Sequence, residues 1–234
     1  MKRLLIFLAS LVAVVVALGA VWRRAAERWN VPCASWLSWF LHVPYIPSIW
    51  GSAAILEHAG IQPGMRVLDV GTGPGRVAIP AARRVGPEGD VVAFDIQPGM
   101  LRQLEERMAQ QGVRNIQPRR GNIGEQSVEP DTFDRVLLNT VLGEIVHREA
   151  ALRTIYGALK PGGILSVTEV LPDPHYLRAS TVTALAQAAG FRVQQRWGNA
   201  IAFTVNLEKP AHDAESASPE LNTRRPNTIS GAGA

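Results

Sequence analysis

Three glycines at alternate positions, Gly71, Gly73 and Gly75, follow a short apolar run of Val67, Leu68 and Val70 that carries one acid, Asp69. Glycine has no Cβ, so the backbone there can turn tightly and a ligand can approach it closely. The stretch beyond, with Val77, Ala78, Ile79, Ala81 and Ala82, is helix-like. A strand that ends in such a loop and feeds a helix is a nucleotide-site signature of α/β folds. The spacing is G-x-G-x-G. It matches neither the dinucleotide fingerprint G-x-G-x-x-G nor the phosphate loop, which needs Gly-Lys followed by Ser or Thr.

Later landmarks fall in order along the chain. Val91-Val92-Ala93-Phe94-Asp95 is an apolar run ending in a carboxylate 20 residues beyond Gly75. Gly121-Asn122-Ile123 follows a short strand around Asn115 to Pro118. Phe133 to Asn139 reads as a buried strand with a polar end, and Ala158 to Val167 as a helix end, a Pro-Gly-Gly turn and a strand. With these landmarks the chain resembles the class I S-adenosylmethionine-dependent methyltransferases over roughly Trp50 to Leu207. The resemblance implies a Rossmann-like α/β fold and S-adenosylmethionine as cofactor. It implies cofactor contacts from Asp69, Gly71, Thr72, Gly73 and Gly75 on the first loop, and from Asp95 and Ile96 after the second strand. Asn122 and Ile123 are implied on the adenine and Asn139 at the end of the fourth strand. Asp95 suits the two ribose hydroxyls; its alternative role is an acidic cap on the next helix. Asn122 suits the adenine amino group; its alternative is a plain turn residue.

Methyl transfer from a sulfonium is an in-line displacement of an already activated methyl, so the protein must mainly align the nucleophile and exclude water. A base is needed only where the nucleophile must lose a proton. Candidates stand at the carboxyl ends of strands, where ligands bind in such sheets. Asn139, Thr140, Glu144 and His147 follow the fourth, and Glu169, Asp173, His175 and Tyr176 the fifth. Glu144, His147 and His175 are the catalytic candidates. Glu144 and His147, three apart, can share a helical face; alternatively they only begin the helix that follows, where an acid is favourable. Tyr156 and Lys160 have the Tyr-x-x-x-Lys spacing of short-chain dehydrogenases. The Pro161-Gly162-Gly163 that follows argues instead that Tyr156 packs and Lys160 ends a helix.

The elements that position these residues alternate. Apolar runs near Val67, Val91, Val136 and Ile164 are separated by helical stretches at about 76–84, 100–111, 148–159 and 178–189, which predicts a mostly parallel sheet with helices on both faces. Two further strands, 191–197 and 201–207, flank Gly198-Asn199 and predict a C-terminal antiparallel hairpin. The single cysteine, Cys33, excludes an intrachain disulfide, and His42, His58, His147, His175 and His212 show no ligand spacing, so no metal is expected.

Leu4 to Trp22 is 19 residues without a formal charge. As a helix it would reach roughly 28 Å, near the thickness of a bilayer's hydrocarbon. Basic residues flank it on both sides, so residues 1–28 are expected to form an uncleaved single-pass transmembrane anchor rather than a signal peptide. The first 50 residues carry +4, the same as the whole chain, so the remainder is neutral and nucleic acid is not an expected partner. The expected partners are a lipid bilayer and a hydrophobic small-molecule acceptor, with the catalytic domain cytosolic because the methyl donor is made there. Residues 29–50 are aromatic, with Trp36, Trp39, Phe40 and Val43 on one helical face, and read as an interfacial linker or lid. The expected domain spans 51–208, and 209–234 is an expected disordered tail. The functional expectation is methyl transfer to a hydrophobic or membrane-borne small molecule. The alternatives are a non-catalytic S-adenosylmethionine-binding membrane protein and a nicotinamide-dependent oxidoreductase.

Overall fold

A strand covered on both faces needs apolar side chains at every position, and an amphipathic helix needs them at every third or fourth. Both patterns organise the chain. The computed structural model describes residues 51–211, apart from Ser127 and Pro172. In chain order the elements are α1 (Ser52–His58), β1 (Arg66–Val70), α2 (Ala78–Val85), β2 (Asp90–Asp95), α3 (Pro98–Gln111) and β3 (Ile116–Arg120). Then come β4 (Phe133–Asn139), α4 (Arg148–Ala158), β5 (Leu159–Val170), α5 (Ala179–Ala188), β6 (Arg192–Gly198) and β7 (Ala202–Glu208).

The seven strands form one sheet in the order β3-β2-β1-β4-β5-β7-β6. The first five are parallel, and β7 runs antiparallel to both β5 and β6. Alternate residues along each strand face opposite layers. Val67, Val91, Ala93 and Leu137 pack with α1, α2 and α3, while Leu68, Val92, Val136, Leu138, Leu165 and Val205 pack with α4 and α5. Helices therefore cover both faces. In α2 the buried residues Ala78, Ala81, Ala82 and Val85 lie at i, i+3, i+4 and i+7, a single stripe against the sheet. Pro98 opens α3 with its φ already helical, and Gly112, at φ 65°, closes it in the left-handed conformation.

Three details differ from the sequence reading. Lys160-Pro161-Gly162-Gly163 belongs to β5 as an irregularity rather than forming a turn before it: the β4–β5 register steps from Phe133↔Leu159 to Arg135↔Ile164. Lys160 accordingly ends no helix; its Nζ donates to Asp134 Oδ1 at 2.7 Å. The hairpin loop is longer than Gly-Asn, because Asn199 Oδ1 accepts the N–H groups of Ile201 and Ala202 and builds a turn of its own. Lys209 belongs to the domain rather than to a tail: its Nζ donates to Asp131 Oδ1 and to the Leu159 carbonyl, and its backbone pairs with Gly162 and Gly163.

The anchor expected over 1–28, the aromatic segment 29–50 and the chain from 212 onward lie outside the described residues. Among the described residues no helix is long and apolar enough to cross a membrane, and no group of side chains could hold a metal ion.

Asn115 fixes the route from α2 into β2. Its side-chain amide donates to the carbonyls of Ala82, Gly86 and Gly89, at 2.8, 2.9 and 3.2 Å. Asn115→Ala strands those part-buried acceptors and should lower unfolding stability by about 1–3 kcal/mol. Urea denaturation checks this, and a loss below about 0.5 kcal/mol, the scatter of ordinary surface substitutions, would show the amide to be dispensable.

Candidate functional site

The carboxyl ends of β1, β2 and β4 open into a cavity of about 240 Å³. The glycine loop forms its floor. Gly71, Gly73 and Gly75 have φ of 68°, 54° and 82°, a region closed to most side chains. The three have different neighbours. A Cβ on Gly71 would strike the Val141 side chain, and one on Gly75 would strike Leu104 and Ile79. A Cβ on Gly73 would meet nothing within 4 Å. Gly71 and Gly73 line the cavity, whereas Gly75 does not and serves packing under α3.

Asp95 ties the loop to the next strand. Its Oδ2 accepts the Gly73 N–H at 2.9 Å, and its Oδ1 accepts the Gln97 N–H at 2.8 Å. The second bond supports the entry into α3, whose N-cap residue is Gln97. A carboxylate has about four acceptor positions, so Asp95 combines the helix-entry role with free capacity toward the cavity. Burial pushes its carboxyl up, against the pull of these N–H donors. The loop is also held from α3, where Arg107 Nη1 donates to the Pro74 carbonyl at 2.7 Å.

Asp69 lies one layer deeper and is 2% exposed. Its Oδ2 accepts the Thr72 hydroxyl at 2.8 Å. Burial pushes its carboxyl up to about 7; Asp95 adds to the rise, while the Thr72 hydroxyl, Arg76 and the Ala78 N–H oppose it.

Asp69, Thr72, Ile96, Asn122, Ile123 and Asn139 all line the cavity. Asn122 also builds its own turn: Oδ1 accepts the Gly124 N–H, and Nδ2 donates to Glu125 Oε1. Asn139 Oδ1 is buried without a hydrogen-bond partner. Such an orphan, the open Cα of Gly73 and the spare acceptor positions of Asp95 fit a ligand with amino and hydroxyl donors, as the adenosine part of S-adenosylmethionine has.

The catalytic candidates separate. Glu144 lines the cavity, and His147 does not. They share no helical face, because α4 begins only at Arg148 and residues 141–147 are turns. The close approach of Gly143 to the His175 backbone, where a Cβ would collide, holds this loop off a helical path. His175 is buried with Nδ1 3.9 Å from Glu144 Oε1. Tyr156 packs edge-on against Phe191, its ring centroid 5.1 Å away.

Sequence reasoning missed Arg76, Gln97, Met100 and Val141, which also line the cavity. Arg76 and Gln97 adjoin named landmarks and were within reach. Val141 was not, because its place over Gly71 depends on Thr140, which takes φ 55° directly after β4. A β-branched residue there is strained, and such strain gathers at functional sites.

A family model for a methyltransferase domain matches residues 61–204. The chain belongs to the methyltransferase-domain family. This methyltransferase domain is 36% identical over 134 residues to the ubiquinone/menaquinone biosynthesis C-methyltransferase UbiE of Pseudomonas putida strain F1, covering 57% of the chain and 52% of that protein. It is 32% identical over 136 residues to an arsenite methyltransferase of Halobacterium salinarum, covering 56% of the chain and 35% of that protein. The chain thus spans about half or less of the length of these relatives. The fold matches that of an S-adenosylmethionine-dependent methyltransferase from Aquifex aeolicus, with TM-score 0.70, 22% identity and coverage of 76% of this chain and 99% of that one. A phosphoethanolamine N-methyltransferase of Haemonchus contortus, solved with S-adenosylhomocysteine, aligns with TM-score 0.57 and 26% identity over 68% of this chain and 42% of that one. S-adenosylmethionine is the cofactor of this domain.

Two outcomes check the geometry. Gly73→Val aims a branched side chain into the cavity and should abolish S-adenosylmethionine binding in a calorimetric titration. Gly64→Val provides the control: Gly64 also has positive φ and open space, but it lies in an exposed turn, so it should bind normally. Asp95→Ala should weaken binding by about 1.5–3 kcal/mol, the range for hydrogen bonds to a charged group; unchanged affinity would reduce Asp95 to a helix-entry residue.

Asp69 makes a pH prediction. Its carboxyl is raised in the folded state, so the fold favours the protonated form. Its contribution to stability is full below about pH 4 and is lost as pH rises through about 7. Asp69→Asn keeps an oxygen for the Thr72 hydroxyl and removes the titration. Calorimetry should therefore show the variant gaining in Tm relative to wild type between pH 5 and pH 8; a constant difference would contradict the buried, raised carboxyl.

Proposed function

We propose that the protein transfers the methyl group of S-adenosylmethionine to a small hydrophobic acceptor, one that resides in or beside a membrane. The observation that carries this reading is one continuous cavity whose lining joins two kinds of residue: the glycine loop, Asp95, Asn122 and Asn139, and with them Glu144 and Asp173 beside the apolar Val141, Ile145 and Val146. When bound, S-adenosylmethionine supplies a methyl on a sulfonium, activated toward a nucleophile without further chemistry by the protein. The residues of the chain hold and align: Gly73 presents its backbone, Asp95 accepts hydroxyl donors, and the buried Asn139 oxygen accepts one more.

The apolar side chains at the mouth support a hydrophobic acceptor. Ile96 is 49% exposed and Val146 65%, although both line the cavity. UbiE, by its name, serves the biosynthesis of ubiquinone and menaquinone, and a quinone-like ring agrees with such a mouth. An arsenite acceptor fits less well, since arsenite seeks thiolates and the chain has one cysteine, Cys33. The apolar run Leu4 to Trp22 with basic flanks supports a membrane anchor, and the supply of the methyl donor favours a cytosolic domain; the anchor would keep such an acceptor at high local concentration.

Incubating cell membranes and full-length protein with isotope-labelled methyl donor, then separating organic and aqueous extracts, tests the proposal. Label should enter one organic-soluble product, and removing residues 1–28 should reduce that labelling. Label confined to water-soluble products would overturn the hydrophobic acceptor, and binding without any transferred label would favour a non-catalytic binding protein.

A further inference from the structure

Among the described residues five large apolar side chains are exposed: Ile96, Val146, Leu171, Val193 and Ile201. A single exposed apolar residue needs no explanation, but a collected set does. Four of the five stand at the carboxyl ends of the strands. Ile96 follows β2, Val146 lies in the loop after β4, Leu171 follows β5, and Ile201 is in the hairpin between β6 and β7. That hairpin lies at the same end because β7 runs antiparallel to β5, with Val170 opposite Ala202. Val193 is apart from them, near the amino end of β6.

The four belong to one rim. Ile96 and Val146 line the same cavity. The Leu171 N–H donates to the Ile201 carbonyl at 2.6 Å, and the Tyr176 hydroxyl donates to the Ala200 carbonyl at 2.8 Å. These two bonds tie the loop after β5 to the hairpin tip and set Leu171, 44% exposed, beside Ile201, 55% exposed. Asp173, two residues beyond Leu171, lines the cavity as well, so the rim continues its mouth.

The chain leaves the described domain toward this rim. The Ala59 carbonyl accepts Arg135 Nε at the start of β4, on the rung of Ile164. One residue earlier, the His58 carbonyl accepts Asn206 Nδ2 on the rung of Ser166. The His58 ring stacks on Trp197, on the rung of Thr204 and Thr168. Stepping back from Ala59 into α1 therefore climbs toward the carboxyl ends, and Gly51 at its start leads to residues 1–50 from that side. Val43, the last of the aromatic segment's interfacial face, stands eight positions before Gly51, a reach of at most about 29 Å. The chain beyond residue 50 is formally neutral, so the rim meets a partner through its apolar side chains and not through net charge.

We propose that Ile96, Val146, Leu171 and Ile201 form the face on which the domain rests against a phospholipid surface. The cavity mouth then opens at the lipid boundary, and an apolar acceptor enters it without crossing water. Apolar side chains held at that boundary bind by the area they bury there. This inference rests on the membrane anchor of the reading above and names the surface that meets the bilayer.

The test uses full-length protein in phosphatidylcholine vesicles. A phosphatidylcholine carrying a photoactivated diazirine on one acyl chain should crosslink the wild-type protein within 143–147, 171–177 and 199–202, besides the residues before 51. It should do so equally at low and high salt and leave the segment around Val193 unlabelled. Spin labels on Leu171→Cys and Ile201→Cys, each made with Cys33→Ser, should collide with dissolved oxygen in preference to a water-borne nickel chelate. Their ratio of oxygen to nickel collisions should be roughly threefold or more above that of Val193→Cys in the same background. Crosslinks confined to residues before 51, with the Leu171 and Ile201 labels as open to nickel as the Val193 label, would overturn the surface and leave the anchor standing. Labels shielded from both reagents would put a protein segment on the rim in place of lipid, and would overturn the surface as well. Protein that washes off the vesicles in alkaline carbonate would overturn the anchor, and the surface would fall with it.

Discussion

The Asp95 carboxylate is the constraint on which the site depends. It sits at the end of β2 and receives two backbone N–H groups from different directions, Gly73 on the loop after β1 and Gln97 at the start of α3. A loop of positive-φ glycines has many conformations in isolation. This acceptor selects one of them and turns the Gly73 backbone toward the cavity. The same carboxylate keeps acceptor positions to spare, and the group that shapes the loop also lines the cavity. Its charge is costly where it lies, and the donors around it offset that cost.

From Asp95 the order spreads through close backbone approaches. Gly71 leaves room for Val141, which comes from the loop after β4. Gly143 in that loop leaves room for the His175 backbone, which comes from the loop after β5. Three strand ends are thereby locked side by side through two missing Cβ atoms, at Gly71 and Gly143. Thr140 makes the sharp bend required, held by its N–H to the Thr168 carbonyl at 2.8 Å. The loops after β4 and β5 are brought together by the same device as the glycine loop and the loop after β4, which explains how carboxylates from two loops come to flank one buried histidine.

Much of this was legible in the residues, for physical reasons. β1, β2, β4 and β5 are covered on both faces, so they read as continuous apolar runs. The amphipathic stripe of α2 and the Gly112 stop of α3 are local signals. What depended on tertiary contacts was not legible. α1 buries only Ile55 and Leu56 and has no periodic stripe long enough to read. Spacing alone does not tell that Gly75 faces Leu104 while Gly73 faces open space. Glu144 and His147 have helical spacing, yet their loop is held by Gly143 against His175, a contact between residues 32 apart in the chain. The role of Lys209 at the edge of the Pro-Gly-Gly irregularity likewise comes from the sheet and not from composition.

A crystal structure with S-adenosylhomocysteine bound tests the central claim most directly. The ribose hydroxyls should lie on the Asp95 carboxylate, the Gly73 backbone against the ligand and a donor of the ligand on Asn139 Oδ1, with the sulfur toward Glu144 and Asp173. A ligand seated elsewhere, or one in this cavity with its ribose away from Asp95, would contradict it.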